Sequence, residues 1–287
     1  MMREPLINVI TRFSREDGIV ESLQSLNEQT YSNIKHYITY QTTEGLEYLK
    51  SLKYKYPTEF IRVPDYKKIE GLFLYFEDHP ADTDYLNWDW GKWDVQVVYN
   101  GEEPPRKIIE CTPQVYEKDG NWCASLPASL RRYSHHAPYN LYMKIAEQHV
   151  KEGWISYLDD DDTYTSKDSI KTLAEEIAKK DNDTLHVFRM ERHTPQWDES
   201  EAKYTSPDTT KPNNHFWHYM TLGHPSLIWE IGGACICFHS KWKEYTQWGH
   251  WTADDYRTVN VLEKTIPTRN LINEVLYCSI IGKQGKK

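Results

Sequence analysis

Four consecutive aspartates, residues 159–162, are the part of this 287-residue chain whose spacing most strongly indicates chemistry. They directly follow a short apolar segment, residues 154–158. Neighbouring carboxylates repel one another and lose hydration when buried, so a divalent cation would relieve both effects. In an extended segment alternate side chains face the same way, which would bring Asp159 and Asp161 to one site. Such oxygen ligands favour Mn²⁺ or Mg²⁺ carrying phosphate, and an acidic turn beside a helix is the alternative.

A second acidic pair, Asp254 and Asp255, opens a segment with helical spacing far along the chain. The helix dipole alone favours acids in a first turn, so stabilisation of the helix is one interpretation of the pair. The other interpretation is chemical, because a carboxylate beside a bound hydroxyl can act as a general base.

Periodic apolar residues predict the elements that would position these carboxylates. Residues 6–10 and 34–40 have the composition of strands, and the segment between them has the spacing of a helix over residues 19–26. A strand, helix and strand of this length predict a right-handed βαβ unit and a parallel sheet. Residues 154–158 predict a further strand, and Ser166 is placed to cap the helix that follows.

The segment from residue 64 to residue 135 departs from this pattern. Between Glu77 and Glu103 it holds eight acids, three tryptophans and a single base, Lys92. We interpret it as an insertion in the form of a small β-rich flap. It is the stretch least like the rest of the chain, and we expect it to carry acceptor specificity.

Composition limits the classes of partner. The chain has 34 Lys and Arg against 43 Asp and Glu, a net charge of −9, which disfavours a role in coating nucleic acid. No apolar run of 18 residues or secretory signal is visible, so the sequence predicts a cytoplasmic protein. The three lysines among the last five residues leave peripheral membrane association open. The five cysteines include no C-x-x-C motif, which disfavours a zinc ribbon or a disulfide framework.

Several segments resemble family 2 glycosyltransferases. The sequence PLINVITRFSRE, followed by SLNEQTY and NIKHYITY, is similar to the opening strand, loop, helix, Q-T-Y turn and second strand of that family. The segment ISYLDDDDTY resembles the family's D-x-D metal-binding motif. The residues IGGA at 231–234 resemble its acceptor-side segment, and Asp254-Asp255 resembles its late Glu-Asp pair. These matches occur in the family's order and leave out residues 64–135.

The resemblance implies the GT-A fold, an α/β architecture with a mixed, mostly parallel central sheet flanked by helices and an inserted flap. It implies one domain over residues 1–287. Residues 1–63 and 136–190 would bind the nucleotide sugar, 64–135 would be the insertion, and 191–287 would bind the acceptor. The implied reaction is metal-dependent transfer, with inversion, of a sugar from a UDP- or GDP-sugar to a hydroxyl of a glycan or another acceptor.

Roles for single residues follow from the same resemblance. Asp255 aligns with the catalytic base, Asp254 with the acid before it, and Asp161 with the metal ligand, which Asp159 would assist. The donor would contact the residues Thr11, Arg12, Phe13, Asp159 and Asp160. The chain lacks the family's Asp pair after the second strand and has Gln41, Thr42 and Glu44 there, so the nucleotide base stays open. The expected acceptor residues are Trp217, His218, Gly232, Gly233 and Trp251.

Two other functions use the same carboxylates. A nucleotidyl- or phosphoryl-transferase would hold Mg²⁺ with them, although the chain has no G-x-x-x-x-G-K phosphate loop. A non-catalytic nucleotide- or sugar-binding module would keep the fold without turnover, and the altered residues 41–45 leave that alternative open.

Overall fold

A computed structural model gives the structure of this protein. It describes residues 4–14, 16–63, 71–76, 97–99, 114–118, 121–125, 130–135, 140–193, 197–198, 203–204, 233–248 and 254–280. The chain divides into two compact units. The first comprises Met1–Asp65, Leu141–Trp248 and Asp255–Lys287, and the second comprises Tyr66–Asn140 and Gly249–Asp254.

The secondary structure alternates between strands and helices at both ends of the chain. The strands are β1 Ile7–Arg12, β2 Ile34–Tyr40, β3 Thr58–Arg62, β4 Gly71–Phe76, β5 Val97–Tyr99, β6 Gln114–Lys118, β7 Asn121–Ser125, β8 Leu130–His135, β9 Trp154–Tyr157, β10 Asp162–Tyr164, β11 Thr184–His193, β12 Trp197–Asp198, β13 Lys203–Tyr204, β14 Ile236–His239 and β15 Thr268–Ile280. The α-helices are α1 Glu16–Asn27, α2 Thr43–Ser51, α3 Asn140–His149, α4 Ser169–Ile177 and α5 Asp254–Thr265. Two 3₁₀ helices cover Gly233–Cys235 and Ser240–Tyr245.

The first unit is built on an eight-stranded sheet with the order β10-β15-β11-β14-β9-β1-β2-β3. The pairs β9–β1, β1–β2, β2–β3 and β11–β15 are parallel, and the pairs that involve β14 or β10 are antiparallel. The predicted βαβ unit is β1-α1-β2, and the mixed, mostly parallel sheet is confirmed. The central strands β1 and β9 are buried along nearly their whole length, as expected for parallel strands covered on both faces.

The connection from β9 to β10 requires the sheet to curl. These strands are four positions apart in the sheet order, which in a flat sheet is about 19 Å at a strand spacing of about 4.8 Å. Only residues 158–161 join them, and a backbone hydrogen bond from Asp162 N to Asp159 O, 3.2 Å long, folds that link into a turn. Strand β10 therefore lies close to the end of β9 and also contacts α1.

The carboxyl ends of three adjacent parallel strands meet at one edge of the sheet. Strand β9 ends at Tyr157, β1 at Arg12 and β2 at Tyr40, so the loops that begin at residues 158, 13 and 41 lie side by side. In open α/β sheets this edge is where ligands bind. The fold thus gathers segments that are far apart in sequence into one region.

The second unit holds the segment that the sequence predicts to be an insertion. Its described strands form a five-stranded antiparallel sheet with the order β6-β7-β5-β4-β8. The β-rich composition expected of this segment is confirmed. Its acidic, tryptophan-containing stretch at residues 77–96 lies outside the described residues.

The Q-T-Y turn has a structural role in this fold. Gln29 is buried, and its amide nitrogen donates to the carbonyl oxygens of Ser25 and Ser166 at 3.0 and 2.7 Å. Its amide oxygen accepts from Ile170 N at 2.9 Å, which satisfies a backbone donor in the first turn of α4. The turn therefore joins the end of α1 to the start of α4. That helix begins at Ser169, so the prediction that Ser166 caps it was wrong.

We expect Gln29→Ala to lower the free energy of unfolding by about 2–4 kcal/mol, because it leaves Ile170 N and Ser166 O buried without this partner. Urea unfolding followed by circular dichroism measures the change. Gln24→Ala is the matched control, since Gln24 lies on α1, shortly before the turn, and bonds Glu28 at an exposed position. Equal stability of the two variants would contradict this role for Gln29.

Candidate active site

The four aspartates form a tight turn and not the extended segment that the sequence analysis assumed. Asp160, Asp161 and Asp162 are buried, whereas the side chain of Asp159 keeps about a quarter of its surface exposed. Asp162 already belongs to β10. The turn keeps the first three carboxylates at the end of β9, and the interpretation that alternate side chains share a face through an extended backbone was wrong.

Two side chains from the end of β1 hold the start of the turn. The Arg12 guanidinium pairs with both carboxylate oxygens of Asp159, with Nε 3.1 Å from Oδ1 and Nη2 3.3 Å from Oδ2. The backbone N–H and the hydroxyl of Ser14 donate to Asp160 Oδ2 at 2.6 and 2.8 Å. Asp160 therefore fixes the loop after β1. Arg12 and Asp160 were both predicted to contact the donor. The contacts that the structure describes for them are with Asp159 and with Ser14.

Tyr277 of β15 spans the turn from the other side. Its hydroxyl accepts from Asp159 N at 3.0 Å and donates to Asp162 Oδ2 at 2.8 Å. The side chain is fully buried, and burial followed by the charges of Asp162 and Asp159 raises its pKa well above the ordinary value. Tyr277 thus stays protonated as a donor. No spacing in the sequence identifies this partner, because β15 is remote from the turn along the chain.

Small residues on α1 let the helix approach the turn closely. A Cβ added at Gly18 would lie 2.4 Å from the carbonyl oxygen of Asp160, a distance that backbone atoms cannot accommodate. One helical turn later the Ser22 hydroxyl donates to Asp159 O at 2.9 Å. The spacing of Gly18, Ser22 and Ser25 on one helix face was visible in the sequence, but the sequence analysis considered only the apolar face of α1.

The negative charge of the turn affects the pKa of Asp159. Burial raises its pKa to about 6, and repulsion from Asp161, Asp160 and Asp255 adds to this effect, while Arg12 opposes it. The contribution of Asp255 indicates that its carboxylate lies close enough to Asp159 to repel it. Asp255 and the acidic turn, which are far apart in the sequence, therefore share one region of the fold.

Asp255 is partly exposed in the first turn of α5 and packs against the segment predicted to face the acceptor. A Cβ added at Gly233 would lie 3.4 Å from Asp255 Cβ and 2.5 Å from Cη2 of the Trp248 indole. Gly233 is therefore enclosed between the indole ring and Asp255, and only glycine fits there. The helix position of Asp254 is described, but its side chain is not.

Glu147 of α3 is a buried acid that the sequence analysis did not identify. Oε1 accepts hydrogen bonds from the Tyr157 hydroxyl and from Trp248 Nε1, and Oε2 accepts from the Thr246 hydroxyl. Lys144 Nζ lies 3.8 Å from Oε2. Burial raises the pKa of Glu147 to about 7, and Lys144 with these hydrogen bonds opposes the shift. A glutamate beside the apolar stripe of a helix is expected to be exposed, so no sequence pattern indicated that Glu147 is buried.

Two other predicted donor residues are buried beside the edge. The whole of Thr11 is buried, including its backbone, and its hydroxyl lies 3.0 Å from His36 Nε2. Phe13 is nearly buried and stacks on Tyr48, with ring centroids 5.9 Å apart and an angle of 15° between the ring planes.

The residues after β2 lie at the same edge of the sheet. The Gln41 amide donates to the Tyr142 hydroxyl. Thr42 caps α2 by accepting from Gly45 N at 3.0 Å, and Glu44 is exposed in the first turn of that helix. Four of the expected acceptor residues lie outside the described residues, namely Trp217, His218, Gly232 and Trp251.

The carboxylates of the turn have the chemistry that Mn²⁺ or Mg²⁺ requires. They are oxygen donors, and burial together with repulsion among them raises the pKa of Asp159, so a divalent cation would lower the cost of keeping these carboxylates charged. Within the described part of the chain, no group of three or more His, Cys, Asp or Glu is arranged to hold a metal ion by itself. A cation at the turn would complete its shell with phosphate oxygens and water, as Mg²⁺ commonly does.

Comparison with known proteins identifies solved structures that are similar to this chain. The chain matches no protein-family model and no curated protein sequence. Among solved structures it is similar to S. aureus TarS 1-349, with a TM-score of 0.52 and 11% identity over 96% of this chain and 60% of that one. The same TarS fragment in complex with UDP-GlcNAc matches with a TM-score of 0.52 and 11% identity, over 98% and 60% of the two chains.

The chain has the GT-A fold. Its curled, mostly parallel eight-stranded sheet flanked by helices matches the glycosyltransferase fold of TarS. The full TarS structure also matches, with a TM-score of 0.52 and 10% identity over 97% of this chain and 37% of that one. The chain thus spans about 60% of the TarS 1-349 length. No helix in the described part of the chain combines the length and apolar character needed to cross a bilayer.

The raised pKa of Glu147 predicts a pH-dependent stability. The ordinary value is 4.5 and the folded value is about 7, so the unfolded chain loses its proton first as pH rises. The stabilisation is fully present below pH 4.5 and is lost as pH rises through about 7, with a slope of up to about 1.4 kcal/mol per pH unit. Glu147→Gln removes this titration. The difference between wild-type and variant free energies of unfolding should therefore fall between pH 4.5 and 7, and parallel curves would contradict the assignment.

Proposed function

We propose that this protein is a metal-dependent, inverting glycosyltransferase that moves a sugar from a nucleotide-diphosphate donor to an acceptor hydroxyl. The observation that carries the proposal is the meeting of two carboxylate clusters, the acidic turn after β9 and Asp255 at the start of α5. Transfer needs charge stabilisation on the leaving diphosphate and a separate base for the incoming hydroxyl. A single carboxylate cluster cannot lie both at the leaving diphosphate and at the incoming hydroxyl.

The acidic turn would serve the donor side. Asp161, with Asp159, would hold Mn²⁺ or Mg²⁺, which when bound neutralises charge on the departing diphosphate. Arg12 keeps Asp159 in place through its paired contacts, and its positive charge lies at the same edge of the sheet. Asp160 and Ser14 would hold the loop after β1 against the nucleotide.

Asp255 would serve the acceptor side as general base. Its carboxylate would take the proton of the acceptor hydroxyl while that oxygen attacks the anomeric carbon, and the bond from that carbon to the diphosphate breaks. Inversion requires the base and the leaving group on opposite faces of the sugar. The backbone of Gly233 against Asp255 supports this placement, because it fixes the side of the helix from which the carboxylate projects. Asp254 would precede the base as the acid of the pair.

A UDP-sugar is the donor that we test first. The TarS fragment with this fold has been crystallised with UDP-GlcNAc, and a GDP-sugar is the second choice. Gln41 and Thr42, at the end of β2, are the side chains that we assign to the nucleotide base, with Glu44 in place of a carboxylate. The acceptor is a hydroxyl of a glycan or another molecule.

The test is release of nucleoside diphosphate from a panel of UDP- and GDP-sugars, with Mn²⁺ or with EDTA, using water as acceptor. We expect one donor to be hydrolysed only with metal. Asp255→Asn should lower turnover by about 10²–10⁴-fold, the range typical of a lost acid or base. Asp161→Asn should remove the metal-dependent hydrolysis, because it removes a ligand of the cation. Asp183→Asn is the matched control, because Asp183 is exposed and pairs with Lys241 outside the site.

The product separates this proposal from its alternatives. Release of pyrophosphate would indicate a nucleotidyltransferase. Metal-dependent nucleotide binding without turnover, with any acceptor supplied, would indicate a binding module. Full activity in both the Asp161 and Asp255 variants would contradict the assigned roles.

A further inference from the structure

Glu147 contacts both halves of the site, although it belongs to neither acidic cluster. It is 1% exposed and projects from α3 between the end of β9 and the segment before α5. We propose that Glu147 is a positioning residue that fixes the separation between the acidic turn and Asp255. This inference rests on the proposed function, and its test below includes a measurement that does not depend on activity.

The first contact leads to the acidic turn. Tyr157 is the last residue of β9, two positions before Asp159, and its hydroxyl donates to Glu147 Oε1. The tyrosine is buried, and its ring packs edge-on against Trp248 with centroids 5.1 Å apart. A shift of Glu147 would therefore move the end of the strand from which the turn emerges.

The second contact of Glu147 connects it to Asp255, the proposed general base. Trp248 Nε1 donates to the same oxygen of Glu147 at 2.9 Å, and it lies 3.1 Å from the Tyr157 hydroxyl. The far edge of the indole and Asp255 Cβ both border the space where a Cβ on Gly233 would lie, at 2.5 and 3.4 Å from that position. Glu147, Trp248, Gly233 and Asp255 thus form a continuous packed series.

The contacts of Glu147 explain why a hydrogen-bond acceptor is needed at this position. One carboxylate oxygen receives both the tyrosine and the tryptophan donors, and the other receives the Thr246 hydroxyl. Lys144 lies nearby and is itself bound by the carbonyl oxygens of Lys243 and Thr246. A buried carboxylate of this kind is destabilising to remove alone, because the donors that it accepts from then lose their partner. Its value here lies in holding two donors from different segments on a single atom.

The test compares Glu147→Gln, which keeps an acceptor oxygen for both donors, with Glu147→Leu, which removes it. In donor hydrolysis with Mn²⁺, we expect Glu147→Leu to lower kcat at least about 10-fold, because small misplacements of reacting groups are costly. The KM for the donor should change by less than about 3-fold, since Arg12, Ser14 and Tyr277 still hold the acidic turn in the variant. Glu147→Gln should restore most of kcat. Glu175→Leu, at an exposed position on α4, is the control for the leucine itself.

Hydrogen–deuterium exchange over residues 255–258 provides the measurement that does not require activity. We expect faster exchange of this first turn of α5 in Glu147→Leu than in Glu147→Gln or the wild type. If Glu147→Leu does not fold, Trp248→Phe takes its place, because it removes both the Nε1 donor to Glu147 and the indole edge that borders Gly233 on the Asp255 side.

Unchanged kcat and unchanged exchange in the folded variant would overturn the proposal, as would a fall in kcat that glutamine does not restore. If the wild type hydrolyses no donor, the proposed function fails. The exchange comparison then still decides whether Glu147 positions Asp255.

Discussion

The concentration of negative charge at the carboxyl end of β9 is the constraint on which the rest of the site depends. Four aspartates, residues 159–162, follow one another there, and a fifth carboxylate, Asp255, is brought close to Asp159 from α5. Each would be more stable in water, so the fold has to supply compensation from neighbouring elements. Among the described residues, Arg12 supplies a positive charge, and Ser14 and Tyr277 supply hydrogen-bond donors. The raised pKa of Asp159 shows that this compensation is incomplete.

That constraint gives the surrounding architecture a physical reason. The sheet curls so that β10 and β15 return to the end of β9, and this brings Tyr277 to the turn. Helix α1 presents Gly18 and Ser22 where a larger residue would collide with the backbone of the turn. Gln29 then joins that helix to the start of α4. The elements around the turn thus hold several mutually repelling carboxylates in one geometry. The proposed binding of a charged donor requires such a fixed arrangement.

The sequence predicted the parts of this structure that depend on local patterns. The βαβ unit, the strand before the aspartates and the helix that begins with Asp254 follow from apolar periodicity. The two acidic clusters were recognisable because carboxylates rarely accumulate without a reason. The resemblance to family 2 glycosyltransferases implied the GT-A fold, and the structure has it.

The sequence did not predict features that arise from contacts between remote segments. A local pattern cannot show that residues 159–162 turn back, because that depends on the curl of the whole sheet. Nor can it show that Asp160 bonds Ser14, or that Glu147 is buried, since each depends on a partner from another element. The Q-T-Y turn illustrates a related point. It is informative as a motif, yet Gln29 acts on the fold and not on a ligand.

The most direct test of the account is Mn²⁺ binding to the purified protein, followed by electron paramagnetic resonance in the presence and absence of UDP. The account predicts weak binding of Mn²⁺ alone and much tighter binding with UDP, because the turn supplies too few ligands by itself. Asp161→Asn should abolish the UDP-dependent binding, whereas Asp255→Asn should retain it. Binding by Asp161→Asn that equals the wild type, or loss of binding in Asp255→Asn alone, would contradict the division of roles between the two carboxylate clusters.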